Sequence, residues 1–229
     1  MSASTAHAQL KTSPHLREAT PVNVIMRNVV YALLPVALYA VFQFGISAAA
    51  LLLVCTGVCV ASEHMFCRIS RKGSTVGDWS AVITGLLLAL TLPPGLPLWM
   101  AAVGAFVSIA LGKALFGGLG FNVMNPALVG RAFLQASFTV PMTTWSPSMV
   151  SSRFTEFIPS SLTAPFTIAT PTNAWVAQVS IDGFSGATPL AMMKFDGVAT
   201  DSMQLMLGTC SGSAGETSSL LILICGLYL

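Results

Sequence analysis

Residues 182–190, DGFSGATPL, form a short polar stretch of small side chains in a chain that is otherwise strongly apolar. Gly183 and Gly186 have no Cβ, so a phosphate could approach their backbone closely, and unpaired N–H groups there could hold its oxygens. The Thr188 hydroxyl would then be the acceptor for a phosphate-bearing group. The alternative is a plain turn, because Asp-Gly favours tight turns and Ser-Gly-Ala-Thr is a flexible link.

A second stretch with chemical potential is 116–131, FGGLGFNVMNPALVGR, in which a Gly-rich turn is followed by Asn125 and Pro126. Asn before Pro is typical of a helix start, where free N–H groups and the positive end of the helix dipole are exposed. Asn122 and Asn125 add amide donors and acceptors. Two interpretations stay open here: a small polar ligand held at a broken helix, or a tight loop whose caps are satisfied.

Cysteines and histidines give no pattern that is typical of a metal site. Cys55 and Cys59 are four residues apart, a spacing that could bind a metal or cluster, but there is no CxxC and no matching second pair. We therefore interpret them as small packing residues. The three histidines have no companions at metal-ligand spacing, and the odd total of five cysteines argues against a disulfide framework.

Three acids, Glu63, Asp78 and Glu216, lie near the ends of apolar runs. Acids in lipid are costly, which makes them candidates for function by default. The alternative is that they sit in interfacial water or cap helices, and we favour this alternative for Glu63. No residue of the chain has the pattern of a general acid, a general base or a nucleophile.

The composition of the whole chain indicates a polytopic membrane protein. Of 229 residues, 54% are hydrophobic and 8% are charged, whereas soluble domains carry about 25% charge. No basic cluster is long enough to follow a phosphate backbone, which argues against nucleic acid as a partner. The first 25 residues have no apolar core with a cleavage site, so they are interpreted as a polar arm and not as a cleaved signal peptide.

Apolar runs predict about five helices before the polar stretch and a sixth after it: 29–46, 48–61, 81–92, 98–116, 127–140, and a run from 219. The third run, closed by Pro93-Pro94-Gly95, is short for a core of about 30 Å and predicts a broken or re-entrant helix. The sixth stops about a dozen residues in, where about 20 are needed to cross. We therefore expect a chain that is truncated relative to a complete protein.

Basic residues predict the orientation of these spans. They cluster before the first span, after the second and at the end of the fourth, which is one side if the spans alternate, and that side should be cytoplasmic. The residues concerned are Lys11, Arg17, Arg27, Arg68, Arg71, Lys72 and Lys113. The segment 141–215, with Thr188, is then predicted to be external.

The chain has a weak internal sequence similarity between GDWSAVITGLLL, from Gly77, and GETSSLLILICGLYL, from Gly215. Each opens with Gly, an acid, a spacer and Ser before an apolar run. In the orientation predicted above, the apolar runs that follow Asp78 and Glu216 begin on opposite sides of the membrane, as in an inverted repeat. Chance similarity between Gly/Ser/Leu-rich helices is the alternative.

Four stretches together carry a resemblance to a known family: SPHLRE at 13–18, GDWSAVITGLLLALTLPPGLPLW at 77–99, the motif at 116–131, and DGFSGATPL with the later GSAGETSSLLIL. In this order, and over nearly the whole chain, they resemble the D subunits of the Rnf complexes, which are ion-translocating ferredoxin:NAD oxidoreductases. The chain is more distantly similar to the B subunits of the Na+-translocating NADH:quinone oxidoreductases.

The resemblance implies FMN joined through a phosphoester to the last threonine of D-G-x-[ST]-G-A-[ST], which is Thr188 here. The other residues of that motif, Asp182, Gly183, Ser185, Gly186 and Ala187, would form the attachment site. A flavin transferase would add the group on the periplasmic side. A second, non-covalent flavin, riboflavin, is implied in the membrane part, with Asn122 and Asn125 as its candidate residues. No metal site is implied.

The resemblance also implies an all-α integral membrane protein of two inverted five-helix halves in the bacterial inner membrane. Its parts would be a cytoplasmic arm (1–25), a first transmembrane bundle (26–140), a periplasmic segment with the flavin (141–215) and the start of a second half (216–229). Electrons would pass to other membrane, periplasmic flavoprotein and iron–sulfur subunits, coupled to Na+ or H+ movement. The alternatives are a non-redox transporter or channel and a structural assembly subunit.

Overall fold

The computed structural model describes residues 21–71, 75–165, 167, 175, 188–216 and 218–229. Regular structure in that part of the chain is entirely helical, with no strand. The arm 1–20 and the motif residues 182–187 lie outside it. The helices are α1 (Val22–Phe44), α2 (Ile46–Ile69), α3 (Ser80–Thr91), α4 (Leu98–Ile109), α5 (Pro126–Ser137), α6 (Thr139–Thr143), α7 (Pro189–Ala191), α8 (Ser202–Leu207) and α9 (Ser219–Tyr228).

Helices α1 and α2 form a hairpin that turns at one glycine. At 23 and 24 residues each is about 35 Å long, enough to cross a core of about 30 Å. Gly45 has φ 68° and ψ −143°, and a Cβ there would lie 1.8 Å from the Arg153 carbonyl oxygen. Only glycine fits this corner, which ends α1 and starts α2 within one residue.

Helix α3 is short, as the sequence predicts. Its 12 residues span about 18 Å, and it ends before Pro93. The carbonyls of Leu90 and Leu92 accept hydrogen bonds from the backbone N–H groups of Gly215 (2.7 Å) and Ala214 (3.1 Å). A later segment of the chain therefore provides hydrogen-bond donors for the last carbonyls of α3. Backbone groups at membrane depth need such partners because no water is available there.

Close helix packing depends on small residues. A Cβ added to Gly85 in α3 would lie 2.5 Å from the Thr56 Cα of α2, and one added to Gly130 in α5 would lie 1.9 Å from the Ser108 Oγ of α4. In membranes, where apolar surface gives no preference for protein over lipid, such close backbone approach stabilises helix pairs.

The variant Gly85→Ala is expected to destabilise the bundle by about 1–3 kcal/mol, because its methyl group meets the α2 backbone and not a movable side chain. The matched control is Gly57→Ala, one residue after Thr56 on α2, where a Cβ would meet nothing within 4 Å. That control should be neutral or more stable by up to about 1 kcal/mol. Thermal unfolding of the purified chain in detergent compares the two, and equal melting temperatures would contradict the close α2–α3 contact.

Helix α4 ends in a π turn at Ala110–Ala114, and a Gly-rich loop then leads to α5. The Asn125 side chain accepts a hydrogen bond from the Ala127 N–H at 3.0 Å, with Pro126 in the first helical position. The predicted helix start at Asn125-Pro126 is confirmed. The predicted fourth run, 98–116, is confirmed as α4 with its π turn.

Segments that follow α5 in the chain form hydrogen bonds with the corner between α1 and α2, at one end of the bundle. The Ile46 N–H donates to Arg153 O at 3.0 Å, and the Met149 N–H donates to Gln43 O at 2.9 Å. Near the same corner, the Tyr39 hydroxyl donates to Leu207 O at 2.6 Å, and the Gln43 amide donates to Gly208 O. These contacts lie at the end of α1 opposite Arg27. We call this the Gly45 end, and the end with the α2 C-terminus and the α3 N-terminus the Ser80 end.

Candidate functional site

A buried ion pair lies at the Ser80 end of the bundle. Lys113 Nζ, from the π turn, lies 2.6 Å from Glu63 Oε1 on α2, and their side chains are 5% and 4% exposed. Glu63 follows the buried Cys55 and Cys59 at spacings of four on one face of α2. Lys113 likewise follows the buried Ala105 and Ile109 of α4. Each charge therefore continues the buried face of its helix.

Hydrogen bonds extend this pair into a charged network, which we define as Glu63, Thr75, Asp78, Ser80 and Lys113. The Thr75 hydroxyl donates to Glu63 Oε1 at 2.5 Å. Lys113 Nζ also donates to Ser80 Oγ, and the Ser80 hydroxyl and N–H donate to Asp78 Oδ1 at 2.5 and 2.8 Å. Lys113 is thus connected to two carboxylates, directly to Glu63 and through Ser80 to Asp78.

A cavity of about 60 Å³ opens beside the network. A water needs roughly 10–15 Å³ of such space, so several fit. Glu63 Oε2 is buried and has no hydrogen-bond partner among the described residues. Residues lining the cavity include Glu63, Cys67, Ser70, Thr75, Lys113 and Gly117. Glu63 therefore lines this cavity and keeps one buried carboxylate oxygen without a partner among the described residues.

The interpretation of Glu63 as an acid in interfacial water is wrong, since Glu63 is 3% exposed. Lys113, which the sequence counts among the basic residues that predict orientation, lies in the π turn at the end of α4 and is 4% exposed. The second run was predicted to end at residue 61, but α2 continues to Ile69 and carries Glu63 inside the bundle. The four-residue spacing from Cys59 to Glu63 is the sequence signal that could have found this site.

Thr188 begins a separate helical segment, Pro189–Ala191, which continues as a π turn to Asp196. Its Oγ1 accepts a hydrogen bond from the Ala191 N–H at 3.3 Å, and its carbonyl accepts one from the Met192 N–H at 3.0 Å. The hydroxyl is therefore used here as an acceptor. A phosphoester would replace the hydroxyl proton and leave an oxygen at the same position, so attachment and this cap are chemically compatible.

The surface beside Thr188 is apolar. Leu190, Met193 and Phe195 are 76%, 64% and 77% exposed, and Lys194 Nζ lies 5.4 Å from the centre of the Phe195 ring. Motif residues Asp182, Gly183, Ser185, Gly186 and Ala187 lie outside the described residues, so their part in an attachment site stays a prediction.

Asn122 and Asn125 use their amides within their own loop. The Asn122 amide donates to Met124 O at 3.2 Å, and its oxygen accepts from the Gly120 N–H at 3.3 Å. Gly117 and Gly118, at the start of the same motif, line the cavity beside Glu63. The structure thus connects the Gly-rich motif to the charged network, while a second flavin at Asn122 and Asn125 stays a prediction.

The other acids singled out by the sequence lie at the two ends of α3. Asp78 accepts from the N–H and hydroxyl of Ser80, the first residue of α3, whereas Glu216 follows Gly215, whose N–H donates to Leu90 O near the other end. Glu216 forms an ion pair with Arg131 of α5, with Nη1 and Oε1 3.3 Å apart and the Glu216 and Arg131 side chains 60% and 32% exposed. This pair shares no hydrogen bond with the charged network among the described residues.

Helices α1 and α2 are long and apolar enough to span a membrane, and α3, α4 with its π turn, and α9 are shorter apolar helices. Large apolar side chains of α1, among them Tyr31, Leu34, Leu38 and Phe42, are exposed along one face, as is typical of a lipid-facing surface. A helical structure with two such helices and an exposed apolar face on α1 is consistent with an α-helical integral membrane protein. The chain belongs to the NQR2, RnfD, RnfE family, whose sequence model matches residues 9–229.

Several curated relatives are the D subunits of ion-translocating complexes. The chain is 38% identical to the D subunit of the proton-translocating ferredoxin:NAD(+) oxidoreductase complex of Clostridium ljungdahlii, over 98% of this chain and 64% of that protein. It is 41% identical to the D subunit of the Na(+)-translocating ferredoxin:NAD(+) oxidoreductase complex of Acetobacterium woodii, over 96% of this chain and 61% of that protein. The chain therefore spans less than two thirds of the length of these two relatives.

Proposed function

We propose that this chain is a flavin-carrying membrane subunit of an Rnf-type complex, which moves electrons between ferredoxin and NAD+ and couples their flow to Na+ or H+ transport. The observation that carries the proposal is the intact motif D-G-x-[ST]-G-A-[ST], which ends at Thr188 in a chain that belongs to this family. The names of its relatives state the electron and ion partners of those proteins.

FMN attached at Thr188 would supply one- and two-electron redox chemistry, while the protein supplies its position and surroundings. Thr188 is the tether, and Asp182, Gly183, Ser185, Gly186 and Ala187 complete the attachment motif. The exposed apolar side chains of Leu190, Met193 and Phe195 offer a surface on which a neighbouring subunit can exclude water. Attachment requires a flavin transferase, and we place the loop on the periplasmic side of the inner membrane.

The finer parts of the proposal concern the membrane half. Riboflavin would be held near Asn122 and Asn125, and the chain would form the first half of a two-half inverted repeat whose second half begins near Glu216. The opposite positions of Asp78 and Glu216 along α3 favour such a repeat. Partners would be the other Rnf membrane, periplasmic flavoprotein and iron–sulfur subunits. The amino-terminal arm would lie in the cytoplasm.

The test is the mass of the peptide that contains Thr188, taken from protein made in a host with the flavin transferase. We expect that peptide to carry the mass of FMN less one water, and the denatured protein to fluoresce on a gel under ultraviolet light. An unmodified peptide together with a dark band from such a host would overturn the flavin proposal.

Two other functions predict different results. A non-redox transporter or channel would give the unmodified peptide just described. A structural assembly subunit would allow the complex to keep its electron-transfer activity when Thr188 cannot be modified. Measuring NAD+ reduction by ferredoxin in the assembled complex, alongside the peptide mass, separates the three.

A further inference from the structure

Arg153 carries a positive charge at the Gly45 end of the bundle that the described residues do not neutralise. The residue is half-buried, and in the described part of the chain no carboxylate oxygen lies within 4.0 Å of its guanidinium. Arg131, by contrast, is paired with Glu216 at 3.3 Å. The guanidinium of Arg153 therefore has a free charge for which an anion from outside the bundle is a suitable partner.

The guanidinium of Arg153 is held in one orientation. Its Nε donates to Phe42 O at 2.8 Å, and its Nη1 donates to Val150 O at 3.0 Å. Its central carbon lies 5.3 Å from the centre of the Phe42 ring and 4.7 Å from the centre of the Phe154 ring. These contacts occupy only two of the five N–H groups of a guanidinium. A planar fork that is fixed in this way is the arrangement that binds two phosphate oxygens at once.

The inner side of Arg153 has no room for such an anion. There Arg153 lines a cavity of about 10 Å³ with the buried Gln43 and with Glu156, which is barely enough for one water. The Glu156 carboxylate would also repel an anion. A phosphate would therefore approach from the outer side, where the rings of Phe42 and Phe154 are 49% and 51% exposed.

This outer side continues along the exposed apolar face of α1. Tyr31, Leu34 and Leu38 share this face with Phe42 and are 49%, 43% and 68% exposed. The helix rises about 16 Å from Tyr31 to Phe42, which is close to half of a hydrocarbon core of about 30 Å. A lipid whose headgroup lies at Arg153 would thus have a surface for its acyl chains that matches one leaflet in length.

The place of Arg153 in the sequence also favours a specific use. Segment 141–215, which is predicted to be external, has Arg153 and Lys194 as its only basic residues. Basic residues near membrane spans are concentrated on the cytoplasmic side, whereas aromatic residues are enriched at both interfaces. Arg153 is therefore an exception in charge that lies between two aromatic rings, at the end of a lipid-facing helix.

We propose that Arg153 binds the phosphate of an anionic phospholipid in the external leaflet, with the acyl chains along the exposed face of α1. The guanidinium donates to two phosphate oxygens, and the rings of Phe42 and Phe154 hold it at the level of the headgroups. The lipid class is one with a net negative headgroup, such as phosphatidylglycerol. Phosphatidylcholine binds more weakly, because its own ammonium group offsets the phosphate charge.

The test is native mass spectrometry of the assembled complex, with the full-length subunit, titrated with phosphatidylglycerol in detergent. We expect Arg153→Gln to weaken the binding of one lipid by about five-fold. The matched control is Arg131→Gln, which removes an arginine that already has a carboxylate partner and should leave the affinity unchanged. The measurement needs neither flavin nor electron transfer, so its failure would leave the proposed function untouched.

Two further variants keep the proposal testable if Arg153→Gln fails to fold. Arg153→Lys keeps the charge but loses the planar fork, so its affinity should lie between those of the wild type and Arg153→Gln. Glu156→Gln leaves every described contact of the guanidinium in place and removes a nearby negative charge. It should therefore bind phosphatidylglycerol more tightly than the wild type does.

Four results would overturn the proposal. The first is an unchanged affinity for phosphatidylglycerol in the variants of both Arg153 and Glu156. The second is phosphatidylcholine that binds the wild type as tightly as phosphatidylglycerol does. The third is displacement of the lipid by an equal concentration of glycerol phosphate, which would indicate a site for free anions. The fourth is the loss of a subunit from the complex in Arg153→Gln, which would assign this surface to a protein partner.

Discussion

Replacing Thr188 by valine is expected to remove all covalently bound flavin from the protein. Valine has nearly the shape of threonine but no hydroxyl, so no phosphoester can form at this position. The expected change is a complete loss of the fluorescent band on a denaturing gel, with unchanged expression and membrane insertion. The mass of the peptide from the variant should equal that of the unmodified sequence.

The valine variant also removes a helix cap, because Thr188 Oγ1 accepts a hydrogen bond from the Ala191 N–H. Loss of a cap costs about 0.5–2 kcal/mol, and a distorted loop could by itself prevent modification. Thr188→Asn separates the two effects, since asparagine is a strong cap but offers no hydroxyl. We expect it to keep the local helix start and still carry no flavin. Thr188→Ser keeps both features and should retain the flavin.

The matched control is Thr200→Val, which makes the same chemical change 12 residues further on, outside the motif. It should carry as much flavin as the wild type. Flavin that persists in both Thr188→Val and Thr188→Asn would place the attachment elsewhere in the chain. Loss of flavin in Thr200→Val as well would show that the segment as a whole, and not the Thr188 hydroxyl, is being tested.

Local patterns in the sequence were enough to predict several elements. A run of 12 apolar residues closed by two prolines predicts a helix too short to cross, and α3 ends at Thr91. Asn before Pro predicts a helix start, and Asn125 caps α5. In both cases the determining interactions lie within a few residues of each other, because prolines end helices and Asn side chains bind N–H groups two residues on.

The charged network could not be predicted in the same way. Glu63 and Lys113 are 50 residues apart, and their pairing depends on how α2 packs beside α4. Hydropathy falls near residue 61, which suggested the end of a span, but helical hydrogen bonding continues to Ile69. A buried charge lowers local hydropathy just as an interfacial one does, so hydropathy alone cannot tell the two apart. Position on the helix face can, and Glu63 shares its face with Cys55 and Cys59.

Removing one partner of the buried pair is expected to be among the most destabilising single changes in the bundle. Lys113→Met leaves the Glu63 carboxylate buried without its counter-charge, and Glu63→Gln leaves the Lys113 ammonium with Ser80 as the link to its remaining carboxylate, Asp78. Breaking a buried pair in this way costs about 3–5 kcal/mol. Thermal unfolding in detergent, with the yield of folded protein, measures the effect.

The double variant Glu63→Gln with Lys113→Met should recover most of that loss. Replacing both members of a buried pair removes two desolvated charges together, and such replacements are often neutral or stabilising by about 1–4 kcal/mol. The control pair is Arg131 with Glu216, where the partners are 3.3 Å apart and their side chains are 32% and 60% exposed. Its single variants should cost less than about 1 kcal/mol.

Comparing the single and double variants of Glu63 and Lys113 distinguishes two roles that the buried pair could have. If Glu63 and Lys113 only hold α2 against α4, the stable double variant should also retain full ion transport in the assembled complex. If the pair also takes part in the ion movement of the proposed complex, the double variant should be stable and yet fail to couple electron flow to ion movement. Single variants as stable as the wild type would contradict the burial of the pair itself.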